Sequence, residues 1–248
     1  MNQENINIKY SIIIPVLDEE HSVMPLYHTL AEVMDDIGKT YEIIFVDDGS
    51  TDSTLDRLKI LKRSASNLKV ISLKEHAGQS VALQTGFEHG RGDIFITLDG
   101  DGQDDPEQIP RLLYELDKGY DVIYGWRYPR QDSVVKRTVS KAAYFMRKLI
   151  TKDKIHDFGS NLRAFRKRVM NDICLWSGLH RFFSVIMVRK GFKVGEVKVR
   201  HRSRKNGVSK YGTLDRLIQG TTDLFRICFI NTDILMKHQN KTIIKEIF

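Results

Sequence analysis

Hydrophobic residues in the first half of the chain form short apolar runs that alternate with stretches of helical periodicity. Each run is rich in Ile, Val, Phe or Leu and stops at Pro, Gly or acidic residues, which predicts buried β-strands. Apolar residues three or four positions apart predict helices between them. The predicted strands are 10–16, 41–46, 68–73, 94–98 and 121–124, and helices are predicted at about 22–36, 55–61, 77–89 and from 106 onward.

This alternation of strands and helices predicts an α/β fold with a mainly parallel sheet flanked by helices. Right-handed crossovers place the carboxyl ends of parallel strands along one edge of the sheet. Ligands of open α/β sheets bind at that edge. The loops richest in Asp and Gly all follow predicted strands, so their side chains are expected to converge there.

The second half of the chain is basic and its pattern is more mixed. Residues 134–150 predict a basic amphipathic helix, residues 191–200 a half-buried strand, and residues 201–212 a basic loop containing Gly and Ser. A helix predicted at 213–230 has an apolar flank, which suits either packing on the core or lying against a membrane. With the Lys- and Asn-rich tail to residue 248, it forms a predicted basic C-terminal appendage.

Composition limits the classes of protein that this chain can belong to. A hydrophobic fraction of 41% over 248 residues is enough for a substantial core. Cys174 and Cys228 are the only cysteines, and the first ten residues are polar. We therefore expect neither a disulfide framework nor a signal peptide, and a cytosolic location. No run approaches the roughly 20 apolar residues of a transmembrane helix.

The net charge of +7 is distributed unevenly between the two halves. Residues 1–126 carry 11 Lys and Arg against 23 Asp and Glu, whereas residues 127–248 carry 28 against 9. An acidic half suits a metal and nucleotide site, and a basic half suits phosphates or an anionic membrane surface. Nucleic acid is a competing partner for a basic half, but the chain has no recognisable nucleic-acid-binding motif.

The segment IFITLDGDGQ, residues 94–103, carries the clearest candidate chemistry. A buried strand ends where Asp99, Asp101 and Gln103 begin, and the two intervening glycines allow a tight turn. Carboxylate and amide oxygens suit Mg²⁺ or Mn²⁺. An ion held by two or three protein groups keeps positions open for substrate phosphates. An isolated Asp-x-Asp is usually a surface turn, but the position of this one at a strand's carboxyl end favours a metal site.

Five motifs, in order, resemble family 2 glycosyltransferases of the GT-A fold, in the branch of dolichol-phosphate mannosyltransferases and bacterial polyprenyl-phosphate glycosyltransferases. The resemblance extends from about Ile12 to about Gly212. The motifs are IPVLDEE at 14–20, VDDGSTDST at 46–54, AGQSVALQTGFEHGRGD at 77–93, DGDGQDDPE at 99–107 and RKNGVSKYG at 204–212.

The resemblance implies roles for individual residues. The positions implied for the nucleotide-sugar donor are Pro15, Leu17, Glu19, Asp48 and Asp99, and those for the metal are Asp99, Asp101 and Gln103. Family members commonly have Tyr-Asn where this chain has Leu17-Asp18. The positions implied for an acceptor phosphate are Arg127, Arg137 and Ser140, and those for a loop that closes over the diphosphate are Arg204, Ser209 and Lys210. Asp157 corresponds to an acidic residue that orients the attack or acts as a base, with a helix cap as the structural alternative.

The resemblance also implies an organisation and an activity. Residues 1–212 form the glycosyltransferase domain, with a nucleotide and metal half, 1–126, and an acceptor half, 127–212; residues 213–248 form the appendage. The implied activity is metal-dependent, inverting transfer from a UDP- or GDP-sugar to a polyprenyl phosphate. We expect peripheral attachment to the inner face of the cell membrane, directly or through a membrane-protein partner.

Two other functions are compatible with the same residues. A family 2 enzyme that glycosylates a growing glycan or another hydroxyl needs a general base, for which Asp157 is the candidate. A non-catalytic adaptor uses its basic half to bind membrane or nucleic acid, although such a protein has no need of a metal motif.

Overall fold

Eight β-strands form one sheet in the computed structural model, which describes residues 7–128, 155–157, 159–171, 183–200 and 244–248. The strands are β1 (Tyr10–Val16), β2 (Tyr41–Asp47), β3 (Leu68–Leu73), β4 (Ile94–Thr97), β5 (Val122–Arg127), β6 (Arg163–Arg166), β7 (Val194–Val199) and β8 (Ile244–Ile247). The helices in these ranges are α1 (Val23–Ile37), α2 (Thr54–Lys62), α3 (Gln79–His89), α4 (Ile109–Asp117) and α5 (Phe183–Arg189). Single 3₁₀ turns occupy Pro106–Gln108 and Lys167–Met170.

The sheet has the strand order β7-β5-β6-β4-β1-β2-β3-β8. Strands β1 to β4 are mutually parallel, which confirms the parallel core predicted for the first half. Strands β5 and β7 are parallel to each other, whereas β6 is antiparallel to both β4 and β5, and β8 is antiparallel to β3. The complete sheet is therefore mixed, with antiparallel strands at one edge and at the junction between its two parallel groups.

The core consists of two layers, one on each face of the sheet. Successive side chains of a strand point to opposite faces. Ile12 and Ile14 of β1 accordingly pack with α1, α2 and α4, whereas Ile13 packs with α3 on the other face. The second layer also contains stacked and edge-to-face aromatic pairs with ring centroids 5.3–5.9 Å apart, formed by Phe87, Phe95, Phe165 and Phe183.

Two strands were not predicted from the sequence. β6 carries an arginine at each end, and Arg163 is almost completely buried. β8 lies in the basic tail and covers the free edge of β3, where Phe248 and Val70 exchange backbone hydrogen bonds of 2.8 and 3.1 Å. A small end segment of the predicted appendage thus belongs to the main sheet.

Several predicted elements lie outside the described residues. They are the amphipathic helix at 134–150, the basic loop at 201–212 and the helix at 213–230. Among the helices that the structure describes, none combines the length and the apolar character needed to cross a membrane.

A buried charge network fixes the edge of the sheet opposite the Asp- and Gly-rich loops. Glu42 is 3% exposed and accepts hydrogen bonds from the Ser11 hydroxyl at 2.7 Å and the Arg91 backbone N–H at 2.6 Å. Its second oxygen lies 3.4 Å from Lys69 Nζ and 3.3 Å from Arg91 Nε. Burial alone would raise the pKa of Glu42, but these donors together hold it below the ordinary value of 4.5.

We predict that Glu42→Gln lowers the free energy of unfolding at pH 7 by about 1–3 kcal/mol, since a buried charged acceptor is lost. A depressed pKa stabilises the fold above the carboxyl's ordinary pKa, and this stabilisation disappears as pH falls through the lower folded-state value. The difference between the two proteins should therefore shrink below pH 4.5. Urea unfolding at several pH values measures it.

Glu115→Gln is the control, because Glu115 forms a surface pair with Lys118, which contributes little to stability. A Glu42→Gln deficit that grows on acidification would contradict the account of this network.

Candidate active site

The Asp- and Gly-rich loops meet at the carboxyl edge of the four parallel strands. Glu19 follows β1, Asp48 follows β2 and Asp99 follows β4, and the three strands are adjacent and in parallel register. Pro15, Leu17 and Glu19 are all partly exposed at this edge. The structure thus brings the predicted donor residues of the first half to one side of the sheet.

The loops after β1 and β2 are tied to each other by reciprocal hydrogen bonds. The Asp18 backbone N–H donates to Ser50 Oγ at 2.9 Å, and Asp18 Oδ1 accepts from the Thr51 backbone N–H at 2.7 Å. Asp18 adopts a left-handed φ of 52°, which Asp tolerates better than most residues. The Glu19 N–H donates to Thr54 Oγ1 at 2.7 Å. These hydrogen bonds fix the two loops relative to each other.

Asp48 fixes the loop between β3 and α3. Its side chain is nearly buried and accepts from the backbone N–H groups of Ala77, at 2.7 Å, and Gly78, at 3.0 Å. His76 Nδ1 lies 2.8 Å from Asp48 Oδ2, while the His76 ring remains half exposed. The predicted contact of Asp48 with the nucleotide remains a prediction.

The Asp99–Gln103 turn presents three oxygen-bearing side chains at the same edge. Asp99, Asp101 and Gln103 are all partly exposed. Asp101 Oδ1 accepts from the Gln103 backbone N–H at 3.0 Å, and Gly102 has a φ of +72°, a conformation that glycine adopts without strain. Asp99 accepts from Gln79 Nε2 at 2.8 Å and from Asn161 Nδ2 at 2.9 Å.

A third carboxyl group, which the sequence interpretation did not single out, lies directly behind this turn. Asp104 is buried and accepts from the Asp99 backbone N–H at 3.1 Å. Burial, reinforced by the negative charge of Asp99, raises the pKa of Asp104 to about 7. Burial and the neighbouring Asp101 also raise the pKa of Asp99. Closely spaced carboxyl groups therefore create a centre whose negative charge favours a cation.

The donor set fits a hard divalent ion that substrate phosphates help to coordinate. In the described ranges, no group of three His, Cys, Asp or Glu side chains could hold an ion alone. Asp101 and Gln103 supply carboxylate and amide oxygens, and Asp99 has lone pairs beyond those used by its amide donors. Such a sparse oxygen set is typical of Mg²⁺ or Mn²⁺ bound together with phosphates.

Arg127 and Asp157 form a bidentate ion pair beside the acidic centre. Arg127 Nε and Nη2 donate to the two Asp157 oxygens at 2.7 and 2.8 Å. Asp157 is 2% exposed, whereas the Arg127 side chain is 21% exposed. Burial would lower the pKa of Arg127, but the Asp157 partner raises it, and the Arg127 charge in turn lowers the pKa values of Asp99 and Asp104.

The segment that carries Asp157 is anchored to β7. Glu196 Oε1 accepts from the backbone N–H groups of His156, at 2.7 Å, and Asp157, at 2.9 Å. The His156 ring stacks on Trp126 with centroids 4.4 Å apart. Both contacts set the position of the Asp157 carboxylate and hence of the Arg127 guanidinium.

The structure does not describe five of the predicted site residues. Arg137 and Ser140 lie between Tyr128 and Ile155, and the loop residues Arg204, Ser209 and Lys210 follow Arg200. Tyr128 and Arg200 directly follow the adjacent strands β5 and β7 at the carboxyl edge, where the Tyr128 N–H donates to the Val199 carbonyl at 3.1 Å. Arg200 also pairs with Glu107 at 3.3 Å, just after the metal motif.

Sequence reasoning missed Asn161 and Gln79 as site residues, although Gln79 lies within the 77–93 motif. Because β6 is antiparallel to β4, the residues before β6 lie at the edge reached by the carboxyl ends of its neighbours. The only available signal was a polar residue immediately before a short apolar stretch, which is too common to identify a site.

Comparison with known proteins agrees with this geometry. A family model described as glycosyl transferase family 2 matches residues 11–174. A dodecaprenyl-phosphate galacturonate synthase of Rhizobium johnstonii is 36% identical over 228 residues, covering 90% of this chain and 67% of that protein. An undecaprenyl-phosphate 4-deoxy-4-formamido-L-arabinose transferase of Edwardsiella ictaluri is 36% identical over 215 residues, covering 86% and 66%. The chain thus spans about two thirds of the length of these relatives.

Solved structures show the same fold at lower sequence identity. Glucosyl-3-phosphoglycerate synthase from Mycobacterium tuberculosis, in complex with Mn²⁺, uridine-diphosphate and phosphoglyceric acid, superposes with a TM-score of 0.68 at 20% identity. The match covers 90% of this chain and 80% of that one, which confirms the predicted fold class. From the family model and the similarity to the two transferases, we conclude that this chain belongs to glycosyl transferase family 2.

Proposed function

We propose that this chain transfers a sugar from a nucleotide diphosphate to a polyprenyl phosphate, with inversion at the anomeric carbon. The observation that carries the proposal is the Asp99–Gln103 turn, at the carboxyl edge of the parallel strands and next to the Arg127–Asp157 pair. The names of the two relatives specify dodecaprenyl phosphate and undecaprenyl phosphate. Their similarity to this chain supports the same class of acceptor.

The donor would bind at the surface formed by the loops that follow β1, β2 and β4. Pro15, Leu17 and Glu19 would contact the nucleotide, and Asp99, Asp101 and Gln103 would hold the ion; all six are partly exposed at this edge. A divalent ion, Mg²⁺ or Mn²⁺, would neutralise the diphosphate as it leaves. The protein groups fix the diphosphate in line with the incoming acceptor, so their main contribution is positioning.

The Arg127–Asp157 geometry favours an anionic acceptor over a hydroxyl acceptor. A lipid phosphate oxygen is already charged near neutral pH, so its attack on the anomeric carbon needs no strong base. Asp157 is 2% exposed, and both of its oxygens bind Arg127. A carboxylate paired in this way is a weak proton acceptor, but it holds Arg127 in place. The pair engages Nε and Nη2, and the guanidinium has further N–H donors that can bind a phosphate.

The other predicted acceptor and loop residues come after Tyr128 and Arg200 in the sequence, which both lie at this edge. Arg204 comes four residues after Arg200, and Arg137 and Ser140 come soon after Tyr128. We propose that Arg137 and Ser140 bind the acceptor phosphate and that Arg204, Ser209 and Lys210 help to cover the diphosphate. The excess positive charge of residues 127–248 supports peripheral contact with an anionic membrane face.

We expect a panel of UDP- and GDP-sugars, tested with Mg²⁺ or Mn²⁺, to give release of nucleoside diphosphate that depends on a short polyprenyl phosphate. Asp101→Asn should abolish this release, because it replaces a charged carboxylate ligand of the metal with a neutral amide. Asp93→Asn is the matched control, since Asp93 lies near Lys9 at the opposite edge of the sheet. Release of nucleotide only with a glycan acceptor would support the hydroxyl-acceptor function. If the chain fails to bind any donor in the presence of metal, that result would support the adaptor function.

Asp157→Asn should raise the KM for polyprenyl phosphate by about tenfold or more, since a hydrogen bond to a charged group contributes ~1.5–3 kcal/mol. Donor binding should not change. Arg127→Lys should have the same effect, because an ammonium cannot reproduce the bidentate pair. Steady-state kinetics with varied acceptor separates KM from kcat.

Asp121→Asn is the control for this pair, because Asp121 pairs with Arg168 at the other end of β5. It should lower stability without changing the acceptor KM. A fall in kcat of about 10²- to 10⁴-fold in Asp157→Asn, with an unchanged acceptor KM, would instead indicate a general base and contradict the positioning role.

A further inference from the structure

The Asn161 side chain, just before β6, donates hydrogen bonds to both oxygens of the Asp99 carboxylate. Its side-chain Nδ2 lies 2.9 Å from Asp99 Oδ1 and 3.0 Å from Asp99 Oδ2. Asn161 is the second residue before β6, and its backbone carbonyl accepts from the Thr97 hydroxyl at 2.7 Å. The end of β4 and the start of β6 therefore hold both partners of this contact at a fixed separation.

The orientation of the Asn161 amide is set by a buried arginine. Arg163 Nη2 donates to Asn161 Oδ1 at 2.9 Å, and Arg163 Nε donates to the Ser160 carbonyl at 2.9 Å. A guanidinium can only donate, so it selects the Asn161 oxygen and turns the NH₂ group toward Asp99. Arg163 is 4% exposed and lies over the rings of Tyr124, at 5.1 Å, and Phe183, at 5.6 Å.

A second amide donor to Asp99 comes from a different element of the fold. Gln79, the first residue of α3, donates through Nε2 to Asp99 Oδ1 at 2.8 Å. Two amide donors from different elements thus define the plane of the carboxylate. Both amide donors favour the ionised form of Asp99. A carboxylate has about four lone-pair sites, so lone pairs remain on Asp99 for coordination of a cation.

We propose that Asn161 is a positioning residue for Asp99, and that Arg163 acts through it to set the affinity of the site for a divalent cation bound with a nucleoside diphosphate. This inference rests on the proposed function. The physical reason is preorganisation: a carboxylate locked by hydrogen bonds loses little freedom when the cation binds. A buried arginine on an aromatic support is a stiff anchor for this purpose, because its own rotamer is fixed by packing.

The test compares Mn²⁺ binding in the wild type and in Asn161→Leu, with UDP and with GDP, by electron paramagnetic resonance. Asn161→Leu removes the donor at similar volume, and we expect Mn²⁺ affinity to fall by about 10- to 100-fold. Gln79→Leu should cause a smaller loss, because Asn161 still holds both oxygens. Asn67→Leu is the matched control, since Asn67 accepts from Tyr27 at 2.9 Å near the opposite edge of the sheet.

Transfer activity gives a second, independent readout. For Asn161→Leu, saturating Mn²⁺ should restore kcat to near the wild-type value, which a general loss of packing would not allow. If Asn161→Leu fails to fold, Asn161→Ala, which removes the amide donor without adding bulk or charge, carries the test with the same expected loss of affinity.

Two results would overturn the inference while leaving the proposed function intact. One is a folded Asn161 variant with wild-type Mn²⁺ affinity, and the other is a rate that stays low at saturating Mn²⁺. Failure of the wild type to bind Mn²⁺ with either nucleotide would overturn the proposed function, and the inference with it.

Discussion

The antiparallel pairing of β6 between β4 and β5 is the constraint on which the site depends. Thr97 at the end of β4 pairs with Arg163 at the start of β6, and Tyr124 of β5 pairs with the same residue. One strand therefore joins the acidic, parallel half of the sheet to the half that carries Arg127. Because it runs in the opposite direction, it delivers Asp157 and Asn161 to the edge already occupied by Asp99. A sheet built only from parallel strands would place these residues at the far side of the molecule.

The balance of charge at this edge follows from the same pairing. Three carboxyl groups, Asp99, Asp101 and Asp104, lie close together, and the pKa values of Asp99 and Asp104 are raised. Arg127 and Arg163 approach from β5 and β6 and partly offset this charge. A divalent ion would complete the compensation, and a diphosphate would bring the negative charge that the ion then binds. The charges of the site therefore favour binding of the divalent cation and the anionic diphosphate as a pair.

Sequence patterns predicted the elements whose formation depends on residues close to one another in the chain. β1 and β3 have the predicted bounds, because each is a mainly apolar run that gives way to charged residues within two positions of its end. The position of Asp99 and Asp101 at a carboxyl edge followed from the same reasoning. β6 and β8 could not be predicted, since the aromatic rings that lie against the buried Arg163 are distant in sequence and Ile244–Ile247 depends on pairing with β3. Asn161 escaped notice because its role comes from the direction of β6, a non-local property.

Anomalous diffraction from a crystal of this chain grown with Mn²⁺ and UDP or GDP would test the central claim most directly. The account predicts a manganese peak at the carboxyl edge, bound by Asp101 and the diphosphate, with Asp99 still held by Asn161. A nucleotide bound elsewhere, or a manganese peak without contact to the Asp99–Gln103 turn, would contradict it.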